Sequence, residues 1–179
     1  MDTRRIIISG GPGTGKSSII ENLKSKGYSC FSEISRSIIE SGIKKGIKNI
    51  FLKDPDFFSS KVLEKRLIQF DESEKIKNSK ENLIFFDRSI FDVYAYQKYL
   101  NKSFTFPKNI VPNYSKNVFF MPPWKKIYVS DNHRLESYES SRLISNYIIK
   151  TYKYYGFQLI KVPKISIEER INYILDRSR

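Results

Sequence analysis

The sequence predicts an α/β fold in which a parallel β-sheet lies between two layers of helices. Five short apolar runs of strand type alternate with longer segments whose apolar residues recur at helical spacing. No hairpin turn joins consecutive strands, so each connection must cross over the sheet and bring in the next strand in parallel. The chain has 179 residues, enough for one such domain, and we expect residues 1–179 to form it. The strands are predicted at residues 5–9, 28–31, 83–86, 118–121 and 157–162.

The first strand contains three consecutive isoleucines, as in strands that are buried on both faces. It leads directly into GGPGTGKSS, where Gly10, four further residues, Gly15, Lys16 and Ser17 fit the phosphate-loop pattern G-x-x-x-x-G-K-[ST]. A helix is predicted over residues 16–26 and ends at a glycine. Strand, glycine loop and helix are the context that the pattern requires, with a glycine turn that binds nothing as the alternative.

The glycine loop is predicted to bind ATP with Mg²⁺. Its glycines let successive backbone N–H groups point inward around phosphate oxygens, at the positive end of a helix. Lys16 is expected to reach the outer phosphates, and the Ser17 hydroxyl group to hold Mg²⁺. A guanine-reading N-K-x-D motif is missing, since Asn101-Lys102 continues with Ser-Phe, which favours ATP over GTP. The predicted nucleotide-binding residues are Gly11, Gly13, Thr14, Gly15, Lys16, Ser17 and Ser18.

The elements after the second strand follow from capping residues and apolar spacing. Ser32 is expected to cap a helix that ends near Gly42. Asp54-Pro55 opens a long amphipathic helix, and another helix is predicted over residues 89–100, after the third strand. The predicted buried side of the long helix carries Phe57, Phe58, Val62, Leu63, Leu67 and Phe70.

Proline residues limit the last two strands. A Pro-Pro pair halts the fourth strand, and a further proline ends the fifth. Between them a helix is predicted over residues 132–155, with Leu143 among its regularly spaced apolar residues. Ser166 is expected to cap the last helix, with Glu169 completing a capping box.

Ligands of parallel sheets bind beyond the carboxyl ends of the strands, and four such ends are marked here by polar residues. The glycine loop follows the first strand, Glu33 the second, Asp87 and Arg88 the third, and residues 122–134 the fourth. LIFFDRS at the third strand resembles a Walker B strand, whose terminal carboxylate orients Mg²⁺. The arginine after Asp87 differs from the glutamate usual in AAA+ motors and is typical of nucleoside and nucleotide kinases.

The segments GGPGTGKSS, SEISR, FFDRSIFDVYAY, VFFMPPW, DNHRLES and KVPKISIEER follow one another across nearly the whole chain. In this combination the sequence resembles the small standalone AAA-domain family of P-loop proteins. That family is similar to the nicotinamide riboside kinase domain of bacterial NAD-salvage proteins, to deoxynucleoside kinases and to thymidylate kinase. The resemblance implies a P-loop NTPase fold with five strands in the order 2-3-1-4-5 and magnesium-dependent phosphoryl transfer, without identifying the acceptor.

The resemblance also implies roles for single residues, each with a simpler alternative. Glu33 matches the general base of deoxynucleoside kinases, or is an acid favoured by a helix dipole. Asp87 is expected to orient Mg²⁺ or contact the acceptor, or only to cap the next helix. Arg88 is expected to neutralise phosphate oxygens, or to form a surface ion pair. Arg36 is a further candidate cation near Glu33, with the same alternative.

Residues 122–142 are predicted to form a lid that closes over the phosphates. Arg134 is the preferred lid arginine and Arg142 the second candidate, because charge on the transferred phosphoryl group spreads over its equatorial oxygens. A solvated helix is the alternative for both. Trp124 either stacks on a base or closes the edge of the core. The aromatic segment 91–99 is either helix core or acceptor pocket.

Composition limits the remaining possibilities. No apolar stretch approaches the ~20 residues needed to span a membrane. One cysteine and one histidine, Cys30 and His133, exclude an internal disulfide and a zinc cluster. We therefore expect a cytoplasmic protein without membrane contact. The net charge of +13 fits a solvated basic surface, an anionic substrate or nucleic acid, and the wide spread of the lysines favours the solvated surface.

The leading functional hypothesis is a kinase that moves the γ-phosphate of ATP to a small hydroxylated metabolite, such as a nucleoside or riboside. Two alternatives stay open. One is a nucleotide-operated ATPase or switch with a protein partner, and the other is a polynucleotide 5′-kinase, which the positive charge suggests.

Overall fold

A computed structural model describes residues 2–44, 53–101, 103–109, 112–129 and 136–178. Its five strands are all parallel and lie in the order β2-β3-β1-β4-β5. The predicted alternation of strands and helices is confirmed, and so is the strand order that the family resemblance implies. The strands are β1 (Arg4–Ser9), β2 (Ser29–Phe31), β3 (Leu83–Asp87), β4 (Asn117–Phe120) and β5 (Gln158–Lys161).

Six α-helices cover the two faces of the sheet within the described ranges. Helices α1 and α6 pack on one face, and helices α4 and α5 pack on the other. None of the helices in these ranges is both long and apolar enough to cross a lipid bilayer. The helices are α1 (Lys16–Ser25), α2 (Ser35–Lys44), α3 (Pro55–Glu74), α4 (Ile90–Leu100), α5 (Tyr138–Tyr154) and α6 (Ile167–Ser178).

Strand β1 lies at the centre of the sheet and of the core. Ile6 and Ile8 pack with the helices of one face, whereas Ile7 packs with those of the other, and all three are at most 2% exposed. Burial of one such side chain stabilises the fold by about 2 kcal/mol. The isoleucine run therefore fixes β1 between two apolar layers, as the sequence predicts.

Strand pairing brings the polar strand ends together. Ile8 of β1 lies opposite Asp87 of β3, and Phe31 of β2 lies opposite Phe86 of β3. Because the strands are parallel, the glycine loop after β1, Glu33 after β2 and the Asp87 carboxyl group meet at one edge of the sheet.

The start of α2 differs from the sequence prediction. The helix begins at Ser35, and Ser32 is not its cap. Instead Glu33 Oε1 accepts hydrogen bonds from the N–H groups of Ile34 and Ser35, at 3.0 and 3.2 Å. A carboxylate satisfies the first N–H groups of a helix as well as a serine does, and it also interacts favourably with the positive end of the helix.

Three predicted buried positions are exposed. Phe57 and Leu67 of α3 are 48% and 41% exposed, because the helix carries apolar residues on more than one side and only one side meets the core. Leu143 of α5 is 52% exposed. This helix begins at Tyr138, and residues 130–135 lie outside the described ranges. The capping box at the start of α6 is confirmed, with Ser166 N–H bonded to Glu169 and Glu169 N–H bonded to Ser166.

Candidate active site

The loop between β1 and α1 has the shape that a phosphate-binding loop needs. Gly13 and Gly15 have φ angles of 71° and 86°, in the left-handed region that favours glycine. At Gly11 a β-carbon would lie 2.6 Å from the backbone oxygen of Ser141, so only glycine fits against α5. Thr14 Oγ1 donates a hydrogen bond to the backbone oxygen of Gly11 at 3.0 Å, which closes the turn. The loop is therefore held in place by a hydrogen bond within it and by its packing against α5.

Lys16 lies folded against its own loop. Its amino group donates hydrogen bonds to the backbone oxygens of Gly10 and Gly11, at 2.9 and 2.7 Å, and to Thr14 Oγ1 at 3.3 Å. Burial, followed by the positive charge of Arg88, lowers the pKa of Lys16 from 10.5 to about 7. A phosphate group at the loop would stabilise the protonated form of this amino group and raise its pKa again. Lys16 is therefore suited to bind phosphate.

Ser17 and Asp87 form a pair of oxygen ligands suited to Mg²⁺. Ser17 Oγ donates a hydrogen bond to Asp87 Oδ2 at 3.3 Å. Asp87 Oδ1 is buried and lacks a hydrogen-bond partner among the described residues. Burial and the charge of Glu33 raise the pKa of Asp87 from 3.8 to about 6. Such a carboxylate oxygen and the neighbouring hydroxyl group are suitable ligands for a hard cation. Phosphate oxygens would complete the coordination of that cation.

No group of three or more His, Cys, Asp or Glu side chains that could hold a metal ion occurs in the described part of the chain. A protein cage for a metal is therefore lacking there. The Ser17 and Asp87 pair fits the Mg²⁺ that accompanies a nucleotide, since Mg²⁺ in such sites is bound by one or two side chains and by the phosphates.

Glu33 lies between two buried arginines. Its Oε1 accepts a hydrogen bond from Nη2 of Arg66 at 2.7 Å, and its Oε2 accepts one from Nε of Arg88 at 2.5 Å. Burial alone would raise the pKa of Glu33, but the charges of Arg66, Arg88 and Lys16 outweigh burial and lower it from 4.5 to about 2. Glu33 is therefore ionised at neutral pH and can accept a further hydrogen bond from a hydroxyl group. It is also the cap of α2, as the interpretation as an acid favoured by a helix dipole expects, and its role as general base stays a prediction.

The sequence prediction missed Arg66, which lies on α3 and is 2% exposed. Besides binding Glu33, it donates from Nη1 to the backbone oxygen of Asp87 at 2.9 Å, so it links the ends of β2 and β3. A signal was present in the sequence. Val62, Arg66 and Phe70 are four residues apart in the sequence and lie on the buried side of the helix. An arginine within an apolar stripe predicts a buried ion pair.

Arg88 has an unusual backbone conformation. Its φ angle of 73° places it in the left-handed region that residues other than glycine rarely adopt. Its Nη1 donates to Asp92 Oδ1 at 3.3 Å, in addition to the bond from Nε to Glu33. Arg88 is 7% exposed and is therefore not the surface ion pair of the alternative interpretation.

A cavity of about 420 Å³ extends from the phosphate loop past Glu33, Arg66 and Arg88. Of the aromatic segment 91–99, Tyr96 lines this cavity, whereas Phe91 packs in the core. The segment is thus helix core in part, and an acceptor pocket at Tyr96 stays a prediction. The apolar side chains along its wall are Ile39, Phe58, Val62, Val93, Ile127 and Val129.

The remaining predicted residues line this cavity, lie outside it, or fall outside the described ranges. Arg36 lines the cavity and is exposed. The guanidinium group of Arg170 lies over Trp124, and its Cζ atom is 5.4 Å from the centre of the Trp124 ring. Arg142 is exposed on α5 and is not among the residues that line the cavity. Arg134, the preferred lid arginine, lies outside the described ranges, as does His133, and its role stays a prediction.

Solved structures of several kinases have the same fold. Deoxyadenosine kinase from M. mycoides with bound dATP is 20% identical, with a TM-score of 0.65, over 97% of this chain and 98% of that one. Thymidylate kinase from Candida albicans is 14% identical, with a TM-score of 0.66, over 98% and 91%. Shikimate kinase from Acinetobacter baumannii in complex with shikimate is 15% identical, with a TM-score of 0.56, over 97% and 92%. At these identities the likeness establishes the fold and not the reaction.

Among curated protein sequences, none matches this chain significantly. The sequence profile of the AAA domain family matches residues 5–170. This range contains the phosphate loop, Glu33 and the Asp87-Arg88 pair, so the match includes every part of the site described above. The chain therefore belongs to the AAA domain family of P-loop proteins.

Proposed function

We propose that the protein is a Mg²⁺-dependent phosphotransferase that moves the γ-phosphate of ATP to a hydroxyl group of a small metabolite, namely a nucleoside or a related riboside. The observation that carries the proposal is the ionised Glu33 held between Arg66 and Arg88, in a cavity that begins at the phosphate loop. A hydroxyl group in this cavity would lie between a carboxylate that accepts its proton and the loop that presents the phosphate.

At the nucleotide end, the loop residues Gly11 to Ser18 would surround the phosphates with N–H groups. Lys16 would exchange its bonds to the loop carbonyls for bonds to the outer phosphates. Ser17 and Asp87 would hold Mg²⁺, which when bound offsets the negative charge of the phosphate oxygens. Arg88 would neutralise charge on the transferred group from the acceptor side.

Glu33 would accept the proton of the acceptor hydroxyl group as the phosphoryl group arrives. A pKa of about 2 makes it a weak base, but in phosphoryl transfer the proton leaves late, so orientation of the hydroxyl group matters more than basicity. In this proposal residues 1–179 act as one domain in the cytoplasm, and residues 122–142 close over the phosphates with Arg134 as the lid arginine.

The charges of the cavity favour an acceptor without a phosphate group at its reacting end. Both Arg66 and Arg88 are already paired with Glu33, and Arg88 is also paired with Asp92. A phosphate group at this point would be repelled by the Glu33 carboxylate and would have to replace it in two buried ion pairs. A neutral hydroxyl group would instead donate a hydrogen bond to Glu33. The apolar wall of the cavity suits a flat ring attached to that acceptor.

The test follows labelled γ-phosphate from ATP, with Mg²⁺, into three separate panels: nucleosides and ribosides, their 5′-monophosphates, and oligonucleotides with free 5′-hydroxyl groups. We expect label on a nucleoside or riboside. Label only in free phosphate would indicate an ATPase or switch, and label on an oligonucleotide end would indicate a polynucleotide kinase. Lys16→Ala should lower transfer by about 100-fold or more. Lys24→Ala, on the exposed side of the same helix, is the matched control.

A further inference from the structure

Behind Arg88 lies a buried hydrogen-bond network that no step of the proposed reaction uses. Asp92 is 2% exposed, and its carboxylate accepts four hydrogen bonds. Oδ1 accepts from Ser9 Oγ at 2.6 Å and from Arg88 Nη1 at 3.3 Å. Oδ2 accepts from the N–H group of Ser89 at 2.8 Å and from the Tyr152 hydroxyl group at 2.6 Å. The four donors come from β1, from α5 and from the two residues after β3, and together they fix the position of this carboxylate.

Arg88 needs such a support. Its left-handed backbone is strained, so the surrounding structure has to hold it in place. Its guanidinium group has two carboxylate partners, Glu33 and Asp92, and also lies 5.5 Å from the ring centre of Tyr96. Glu33 is the group that an acceptor would contact. Asp92 is therefore the anchor that stays in place when Glu33 exchanges partners.

Tyr152 connects this anchor to the nucleotide end through helix α5. The same helix contacts the phosphate loop, because Ser141 Oγ donates to the backbone oxygen of Pro12 at 2.7 Å. Tyr152 lies three turns further along the helix, is 0% exposed, and also bonds Ser89 Oγ at 2.8 Å. One rigid element thus contacts both the loop that would hold the donor phosphate and the carboxylate that holds Arg88.

We propose that Asp92 and Tyr152 are positioning residues that hold the Arg88 guanidinium group against Glu33 and, through α5, at a fixed distance from the phosphate loop. The effect on rate rests on the proposed phosphoryl transfer. The effect on the Arg88 side chain does not, since it can be measured on the protein without any substrate.

The first experiment measures hydrogen exchange at the Nε–H group of Arg88 by NMR, with Arg88→Lys used to assign the signal. Tyr152→Phe removes one hydroxyl group from the network and should make this exchange faster by about 10-fold or more. Tyr155→Phe removes a hydroxyl group near the end of the same helix, where it bonds the backbone oxygen of Pro107, and should leave the exchange unchanged. Unchanged exchange in a folded Tyr152→Phe protein would overturn the proposal, whatever the protein phosphorylates.

The second experiment measures transfer rates once an acceptor is known. Tyr152→Phe should lower the transfer rate by about 10- to 100-fold, as expected for a small misplacement of a reacting group, with nucleotide affinity unchanged within about twofold. In an Arg88→Ala background the same change should have no further effect on the rate, although it still lowers the melting temperature. Full additivity of the two rate effects would contradict the proposal.

A protein that labels no acceptor would contradict the proposed function, and the exchange measurement would still decide the positioning role. If Tyr152→Phe does not fold, Ser9→Ala replaces it in both experiments, because Ser9 Oγ is another donor to the Asp92 carboxylate. The same outcomes then apply.

Discussion

Glu33 and Asp87 lie at the ends of neighbouring strands, yet the pKa values of their carboxyl groups shift in opposite directions. Both are buried, but Glu33 has two guanidinium partners, which lower its pKa to about 2. The Asp87 carboxylate has no guanidinium partner at hydrogen-bond distance among the described residues, so burial and then the charge of Glu33 raise its pKa to about 6. In active sites, two carboxyl groups with pKa values shifted in opposite directions typically have different chemical roles.

The first prediction concerns the charge of Glu33. Glu33→Gln keeps the size of the side chain, and in a kinase it should lower transfer by about 10²- to 10⁴-fold with nucleotide affinity nearly intact. It also leaves Arg66 and Arg88 with one anion fewer, so the free energy of unfolding should fall by about 3 kcal/mol. Single-turnover transfer and urea denaturation measure the two effects. A full transfer rate would remove Glu33 from the mechanism and leave Asp87 as the acid near the acceptor.

The second prediction concerns pH. Nucleotide binding needs a protonated Lys16, whose pKa in the free protein is about 7, so affinity should fall as the pH rises above this value. Binding of Mg²⁺ needs an ionised Asp87, whose pKa is about 6, so affinity should also fall as the pH drops below this value. Calorimetric titration with a non-hydrolysable ATP analogue and Mg²⁺ should therefore give a maximum between pH values of about 6 and 7.

Two substitutions separate the limbs of this profile. Lys16→Arg keeps its charge at all these pH values and should remove the alkaline limb. Asp87→Asn should remove the acidic limb and weaken the dependence on Mg²⁺. An affinity that is constant from pH 5 to pH 9 in the unchanged protein would contradict both assignments.

At the scale of elements, the parts of the site that follow strands could be predicted and the parts within helices could not. The glycine loop that leads to Lys16 follows an apolar strand run, as do Glu33 and Asp87. Because parallel strands end at one edge of the sheet, the proximity of these residues follows from the order of elements. Arg66 and Tyr152 reach the site only through the way α3 and α5 pack on the sheet. Helical spacing identifies a buried side but does not specify which residue of another element it meets.

Arg66 provides the third prediction. Arg66→Met keeps an unbranched side chain in the apolar stripe of α3 but removes the link between Glu33 and the end of β3. The pKa of Glu33 should rise, acceptor transfer should fall by about 10-fold or more, and unfolding should require about 2–4 kcal/mol less free energy. Lys65→Met, at the exposed neighbouring position, is the control for helix propensity. Equal melting temperatures for the two variants would show that the buried pair contributes little.

At the scale of the whole molecule, the net charge is +13, and basic side chains of the described residues line both the cavity and the outer surface. Inside the cavity, Arg66 and Arg88 are paired with Glu33 and Asp92. Outside it, a shallow groove between α5 and the end of β5 has four basic side chains and one carboxylate, that of Glu139, along its walls. The basic residues of this groove are Arg142, Lys153, Lys161 and Lys164. These four basic side chains are exposed, as expected for a solvated surface.

The fourth prediction tests this interpretation of the charge. Random-sequence oligonucleotides should bind with a dissociation constant weaker than about 10 µM at physiological salt, because scattered lysines release few counterions together. Fluorescence anisotropy over a range of salt concentrations measures both the affinity and its slope. Submicromolar binding with a steep salt dependence would support the polynucleotide alternative instead.

The left-handed backbone of Arg88 is a strained turn that the buried ion pairs of its side chain hold in place. Glycine adopts a φ angle of 73° without strain, so Arg88→Gly should be more stable than Arg88→Ala by about 1 kcal/mol, although both variants lose the same guanidinium group. Urea denaturation of the pair isolates this backbone contribution, and equal stabilities would mean that the strain is absent. Either replacement leaves the buried Glu33 and Asp92 carboxylates without this partner, so both variants should be less stable than the unchanged protein. An engineering effort that screened this protein for thermal tolerance alone would therefore keep arginine at this turn, although glycine suits its backbone better.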